Sequence, residues 1–217
     1  MLGWINYIII AVTLAFLVWL QISFAMGKKR NSSKKIAEIL NEDSEANFAR
    51  RRPLPDDFYF VPDIRGLNLK EYADDDKSKV AEKQARVLKL SEAKMIRLPK
   101  SMTNKEIKMN YGAANLETVT NGEEVYQMFL EALISWGEAL SNIGDKADAK
   151  KVLEKAIDFG CDISRCFISL AELYLKDRDK SSADKLIKRL ESGEAIPQND
   201  AIRNKTIAEI KKMYDNI

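Results

Sequence analysis

The sequence predicts an all-α protein: an N-terminal transmembrane helix, then a solenoid-like stack of antiparallel helices closed by a capping helix. Three observations carry this expectation. Residues 1 to 27 hold no charged side chain, and about 20 mostly apolar residues suffice to cross a bilayer core. Beyond them, apolar residues recur at helical spacing between capping signals. From about residue 130 the chain also matches itself at an offset of 34 residues, a period typical of helix-turn-helix arrays.

The anchor comes first. In "WINYIIIAVTLAFLVWLQISFAM" Trp4 and Tyr7 sit near one end and Trp19 toward the other, where amphipathic rings settle at bilayer interfaces. A signal peptide is disfavoured, because no basic region precedes the apolar run and the run exceeds the about 7 to 15 residues of a signal core. "KKRNSSKK" follows, with Lys28, Lys29, Arg30, Lys34 and Lys35 and no acid among them. Such a flank stays on the cytoplasmic side, so the reading is a single-pass protein with its N-terminus out and its C-terminal domain cytoplasmic. Lipid is then a partner of the N-terminal helix and its basic flank.

Residues 28 to 76 read as the basic juxtamembrane flank and a proline-aromatic linker. "RRRPLPDDFYFVPDIRGLNL" is non-helical, since each proline fixes its own dihedral and pushes the preceding residue toward extended geometry. Phe58, Tyr59, Phe60 and Val61 are too apolar for a solvated linker. Two readings of residues 53 to 64 stay open: a strap packed on the helical domain, or an exposed motif for a partner.

The helical domain is expected over 77 to 217. Val80, Ala81, Ala85, Leu88 and Met95 follow helical spacing until Pro99 stops the run. Thr103 and Glu106 have the spacing of a capping box, and so do Thr120 and Glu123, which are expected to start a long helix. These helices, from Lys79 to Val119, are expected to complete one end of the stack.

Composition excludes several functions. The chain of 217 residues is 31% charged with net charge +2, and no nucleic-acid-reading motif accompanies this near-balance, so no nucleic-acid partner is expected. There is no histidine, hence neither the commonest general base nor the commonest metal ligand. Cys161 and Cys166, the only cysteines, cannot supply the four ligands of a structural zinc site and read as small core residues. No phosphate-binding glycine loop is present. Accordingly no enzyme activity, catalytic residue, metal or cofactor is expected.

Offset by 34, Leu133 meets Phe167, Trp136 meets Leu170, Gly137 meets Ala171, Leu140 meets Tyr174, Asp145 meets Asp179, Ala149 meets Ala183, Val152 meets Leu186, Leu153 meets Ile187 and Ala156 meets Leu190. Glycine inside a helix costs up to about 1 kcal/mol relative to alanine, so Gly137 is expected at a close helix-helix contact. Residues 130 to 163, with Trp136, Gly137, "GD" at the turn, Ala149 and Ala156, resemble the tetratricopeptide repeat family. Residues 164 to 197 match through "SLAELY" and Ala183, but carry "RD" at the turn and Leu190 in place of the last alanine. Residues 198 to 217 put Ile202, Thr206, Ile210, Met213 and Ile217 on one face as a cap.

The resemblance implies a concave groove lined by the first helix of each repeat. By register it comprises Glu131, Ile134, Glu138, Ser141 and Asn142 from the first unit, and Arg165, Ile168, Glu172, Leu175 and Lys176 from the second. Isoleucines beside carboxylates suit an amphipathic segment with a basic edge. The glutamates disfavour the subclass that grips a C-terminal carboxylate. The layout looks like anchored bacterial tetratricopeptide proteins, and more weakly like the mitochondrial outer-membrane import receptor, from which the long linker and second repeat depart. The expected function is a membrane-anchored adaptor or scaffold that binds partner proteins, with a receptor for a targeting peptide in protein translocation as the alternative.

Overall fold

The computed structural model describes residues 16–17, 19, 46–71, 78–99, 102–196 and 199–214. The expected membrane span falls almost wholly outside these residues. Phe16, Leu17 and Trp19 within it are exposed, and among the described residues no helix is long and apolar enough to cross a membrane. The fold is mostly helical, and the chain divides into two compact units: Met1–Pro53 with Thr103–Leu116, and Leu54–Met102 with Glu117–Ile217.

In the second unit, helix α1 (Ser78–Ser91) is followed by a two-residue strand. β1 (Tyr59–Phe60) pairs antiparallel with β2 (Met95–Ile96), Tyr59 opposite Ile96 and Phe60 opposite Met95. The helical run expected to continue to Pro99 therefore stops at Ser91. Met95 and Ile96 gain backbone partners from the strap instead, and Ile96 seats against Gly122, where a Cβ would lie 2.7 Å from its Cγ1.

In the first unit, α2 (Asn104–Tyr111) opens on the expected capping box: the Thr103 hydroxyl accepts from the Glu106 N–H, and the Glu106 carboxylate accepts from the Thr103 N–H. Of the helices α3 (Leu116–Asn142), α4 (Lys146–Asp158), α5 (Ser164–Lys176), α6 (Lys180–Glu191) and α7 (Asp200–Tyr214), the first is the longest. Thr120 does not cap it. A short 3-10 turn at Ala113–Asn115 leads directly into α3 at Leu116, so Thr120 is an exposed residue of its second turn.

The 34-residue periodicity holds in the backbone. Gly144, at φ 83°, ends α3 while its N–H donates to Ser141 O and the Asp145 N–H donates to Leu140 O. One period later Arg178, at φ 60°, ends α5 while its N–H donates to Leu175 O and the Asp179 N–H donates to Tyr174 O. The second turn keeps a left-handed residue without the glycine that adopts it at no steric cost. Packing repeats as well: Leu133, Trp136, Gly137, Ala149, Val152, Leu153 and Ala156 are buried, and so are Phe167, Leu170, Ala171, Ala183, Leu186, Ile187 and Leu190. Gly137 faces α4, where an added Cβ would meet Leu153 Cγ at 2.8 Å and Ala149 O at 3.5 Å. Close approach of the two helices is thus what the glycine permits.

α7 packs on α5 and α6. Of the expected face, Thr206 and Ile210 are buried and Met213 is half-buried, whereas Ile202 is 45% exposed and Ile207 is buried beside them; Ile217 lies outside the described residues. The Thr206 hydroxyl donates to Ile202 O at 2.9 Å and is hydrogen-bonded to the Ser164 hydroxyl at 2.8 Å, which holds position 206 against the first turn of α5.

The opposite side of the repeats is covered by the proline-aromatic segment, which packs rather than hangs free. Phe58 is buried, and Phe60 stands edge-on to Tyr126 at 5.2 Å and to Phe159 at 5.5 Å. Leu67 joins Val80 and Val87 of α1 in the core. Only Val61 of the aromatic stretch is widely exposed.

Lys70 fixes the far end of this strap. Its Nζ lies 2.5 Å from Oδ2 of both Asp145 and Asp148, Asn68 Nδ2 donates to Asp148 Oδ2 at 3.3 Å, and its backbone exchanges hydrogen bonds with the Gln84 amide. Burial pushes the Asp148 carboxyl up, but the Lys70 ammonium, with help from Asn68 and Lys151, outweighs it and holds the group below the usual carboxylate range. Hydrogen bonds to Asp145 and then Asp148 hold the Lys70 ammonium well above the usual lysine range. A depressed carboxyl stabilises the fold above its unfolded value near pH 4, and that contribution is lost as pH falls through the lower folded value. The raised ammonium acts at the other end: its contribution is complete below the unfolded value and is lost as pH rises through the folded one. Lys70→Met should cost about 1–3 kcal/mol at pH 7, less than the cost of about 3–5 kcal/mol for a fully buried pair because Lys70 itself is partly exposed. Urea melts at pH 7 and at about pH 3 check this, with the wild-type advantage expected to shrink at the lower pH.

Both cysteines are unpaired thiols in the core, as their residue type suggested. The neighbouring Cys161 side chain and burial push the Cys166 thiol far up, which leaves it unreactive.

Candidate partner-binding face

α3 and α5 are first helices of successive repeats, so positions 34 apart are brought side by side. Arg165 Nη2 donates to Glu131 Oε2 at 2.5 Å, a pair of equivalent positions, and Arg165 Nε lies 3.3 Å from Glu138 Oε1. Ser169 Oγ donates to Glu138 Oε1 at 3.2 Å. One helical turn separates Lys176 from Glu172, whose Oε1 is 2.6 Å from its Nζ. These side chains are about half exposed, Glu138 somewhat less, and each such ion pair contributes about 0–1 kcal/mol. Ser141 and Ile168 are half-buried and Asn142 is exposed.

Two expected groove residues belong elsewhere. Ile134 is 0% and Leu175 2% exposed, so both are core. Along α3, Leu130, Ala132, Leu133, Ile134, Trp136 and Gly137 are all buried, so this segment is covered over most of its circumference and only a narrow edge with Glu131 and Glu138 reaches solvent. The expected row of isoleucines is thereby reduced to Ile168. The carboxylates are also not a bare acidic strip, since Arg165 and Lys176 offset two of the three charges of Glu131, Glu138 and Glu172.

A separate cleft of about 490 Å³ lies beside β2, lined by Arg97, Leu98, Pro99, Met102, Glu123, Tyr126, Gln127, Gly160 and Asp162. Its rear wall is fixed by the Tyr126 hydroxyl, which donates to Phe159 O at 2.6 Å. Burial raises the Tyr126 phenol, against the opposing pull of Arg97. Arg97 also lies over the Phe60 ring, 5.1 Å from its centroid. The cleft offers a guanidinium, two carboxylates and an amide, donors and acceptors for a polar ligand group. Sequence reasoning missed it because its charged residues come from three separated segments with no common spacing. Among the described residues, no group of three His, Cys, Asp or Glu side chains could hold a metal ion.

Comparison with family models, curated proteins and solved structures gave no match. The functional reading therefore rests on this chain's own geometry.

Proposed function

We propose that the chain is a scaffold of tetratricopeptide type, anchored in a membrane by residues 1 to 27, which holds a partner protein against the face formed by α3 and α5. The observation that carries the reading is the 34-residue repeat of turn hydrogen bonds, left-handed residues and buried positions. That repetition aligns α3 and α5 and spaces charged groups along them at a fixed interval. The uncharged N-terminal run and its basic flank support the anchor and a cytoplasmic location for the helices.

With Ile134 in the core, recognition on this face falls to Ile168 at its centre and to the surrounding Glu131, Glu138, Asn142, Arg165, Glu172 and Lys176. A helical or extended peptide with a narrow apolar edge and alternating charge fits that pattern. The test is crosslinking in native membranes with wild type and an Ile168→Glu, Glu172→Lys variant. At least a tenfold loss of the crosslinked partner is expected, with helicity by circular dichroism unchanged. Undiminished capture would remove the face from the reading, and capture of translocation subunits would turn the scaffold into a targeting receptor.

A further inference from the structure

We propose that the described part of the smaller unit, residues 46–53 with 103–116, docks on anionic lipid headgroups through Arg50, Arg51 and Arg52 with Phe48 and Met109, a contact separate from the membrane-spanning segment. The inference rests on the anchored reading only for how close the unit is to a bilayer.

The first support is charge. Residues of this unit include ten Lys and Arg against five Asp and Glu, net +5, while the whole chain is +2, which leaves −3 for the larger unit. Among its described residues the cations are Arg50, Arg51, Arg52, Lys105 and Lys108, and the single acid is Glu106. That carboxylate is engaged locally, accepting from Thr103 N at 2.7 Å and Thr103 Oγ1 at 2.9 Å. The unit's other four acids, Glu38, Glu42, Asp43 and Glu45, lie outside the described residues, as do the five cations from Lys28 to Lys35.

The second support is that the arginine segment is held in place. Lys108 Nζ donates to Asn47 Oδ1 at 3.0 Å, and Arg52 N–H donates to Tyr111 O at 3.0 Å. The buried Asn115 accepts from Arg51 Nε at 3.3 Å and donates to Arg52 O at 2.7 Å. Gly112, at φ 89°, lies so near that a Cβ there would fall 2.8 Å from Arg51 Cα. The guanidinium row is therefore presented by a fixed backbone against the end of α2, not by a solvated tail.

The third support is apolar. Phe48 is 86% exposed and Met109 48% exposed in this same small unit, and the Asn47–Lys108 bond ties their two segments together. Exposed aromatic and apolar side chains beside a basic cluster are the composition of a surface that lies at the headgroup level. Eighteen residues lie between Gly27 and Ala46, so the chain keeps Ala46, where the arginine segment begins, within at most about 65 Å of the end of the anchor.

The experiment uses the full chain reconstituted in vesicles of phosphatidylcholine alone or with phosphatidylserine added. A fluorophore is placed on Asn110→Cys, an exposed site, while Cys161 and Cys166 stay buried. Headgroup spin-labelled lipid should quench it in the anionic vesicles and not in the neutral ones, and 1 M salt should abolish quenching as the screening length falls to about 3 Å. Arg50→Gln, Arg51→Gln, Arg52→Gln together should lower the docked-to-undocked ratio about 100-fold, at about fivefold per arginine. Phe48→Ser, which removes no hydrogen bond, should weaken quenching with circular dichroism unchanged. Equal quenching in both lipids, or quenching indifferent to the arginines, would overturn the proposal. So would protection of the label by RNA in place of lipid, which would reassign the patch to nucleic acid. The anchor is read separately: a chain that washes off neutral vesicles at alkaline pH loses its membrane span, whereas one that stays without anionic quenching loses only the docking.

Discussion

Gly137→Val is expected to destabilise the protein by about 3 kcal/mol or more, and most of that loss should disappear when Leu153→Ala is present as well. A Cβ at Gly137 falls 2.8 Å from Leu153 Cγ and 2.9 Å from its Cδ2. Leu153 is 0% exposed, and Cγ is its branch point, so relief means moving the whole side chain inside a close-packed core. Valine adds two further methyl groups and a β-branch that helices disfavour. Leu153→Ala alone should cost about 2–5 kcal/mol through lost burial and the remaining cavity. In the double variant the valine occupies that cavity, so the two losses should fall short of their sum by about 2–3 kcal/mol. Urea denaturation of the four proteins measures this, and strict additivity would mean that the helices do not meet at this pair.

That contact was readable from sequence because it leaves a costly signature: a glycine where a helix would prefer alanine, at a spacing set by a repeat. Thr103 with Glu106 was readable for a similar reason, since a capping box is satisfied entirely within four residues. Thr120 with Glu123 has the same spacing but lost to its surroundings, because the backbone is already helical from Leu116 and offers no unpaired N–H groups to cap. Met95 reads as helical by period, yet a two-residue strand wins there, supported by Tyr59 and Phe60 some 35 residues away, a pairing that no local pattern encodes. Gly122 carries the same kind of signal as Gly137 and marks the Ile96 contact. The groove was half readable: register placed Glu131 beside Arg165, but register alone does not report what covers Ile134 and Leu175.

The helices α3 to α6 leave apolar surface on two sides. α7 covers one with Thr206, Ile207 and Ile210, and the strap with α1 covers the other with Phe60, Leu67, Val80 and Val87. A segment that resembled a linker by its prolines is therefore a structural part of the unit, which is why Phe58 is buried and Phe60 packs edge-on to Tyr126 and Phe159.

Trp136→Ala is expected to lower stability by about 3–5 kcal/mol, while Trp136→Phe should change it by no more than about 1.5 kcal/mol. The indole is 0% exposed and is the largest fully buried side chain among the described residues, so truncation to alanine leaves a cavity that a packed helix pair cannot close. Phenylalanine gives up part of that volume but also removes a liability, because the Trp136 Nε1–H is buried with no acceptor among the described residues. A buried donor without a partner costs about 1–3 kcal/mol, which offsets the lost contacts. The internal repeat points the same way, since Leu170 fills the equivalent place in the second unit with no polar atom. If thermal and urea melts showed Trp136→Phe to be as damaging as Trp136→Ala, the indole N–H would have to be bonded in the folded protein, and the site would hold the tryptophan for its hydrogen bond rather than for its volume.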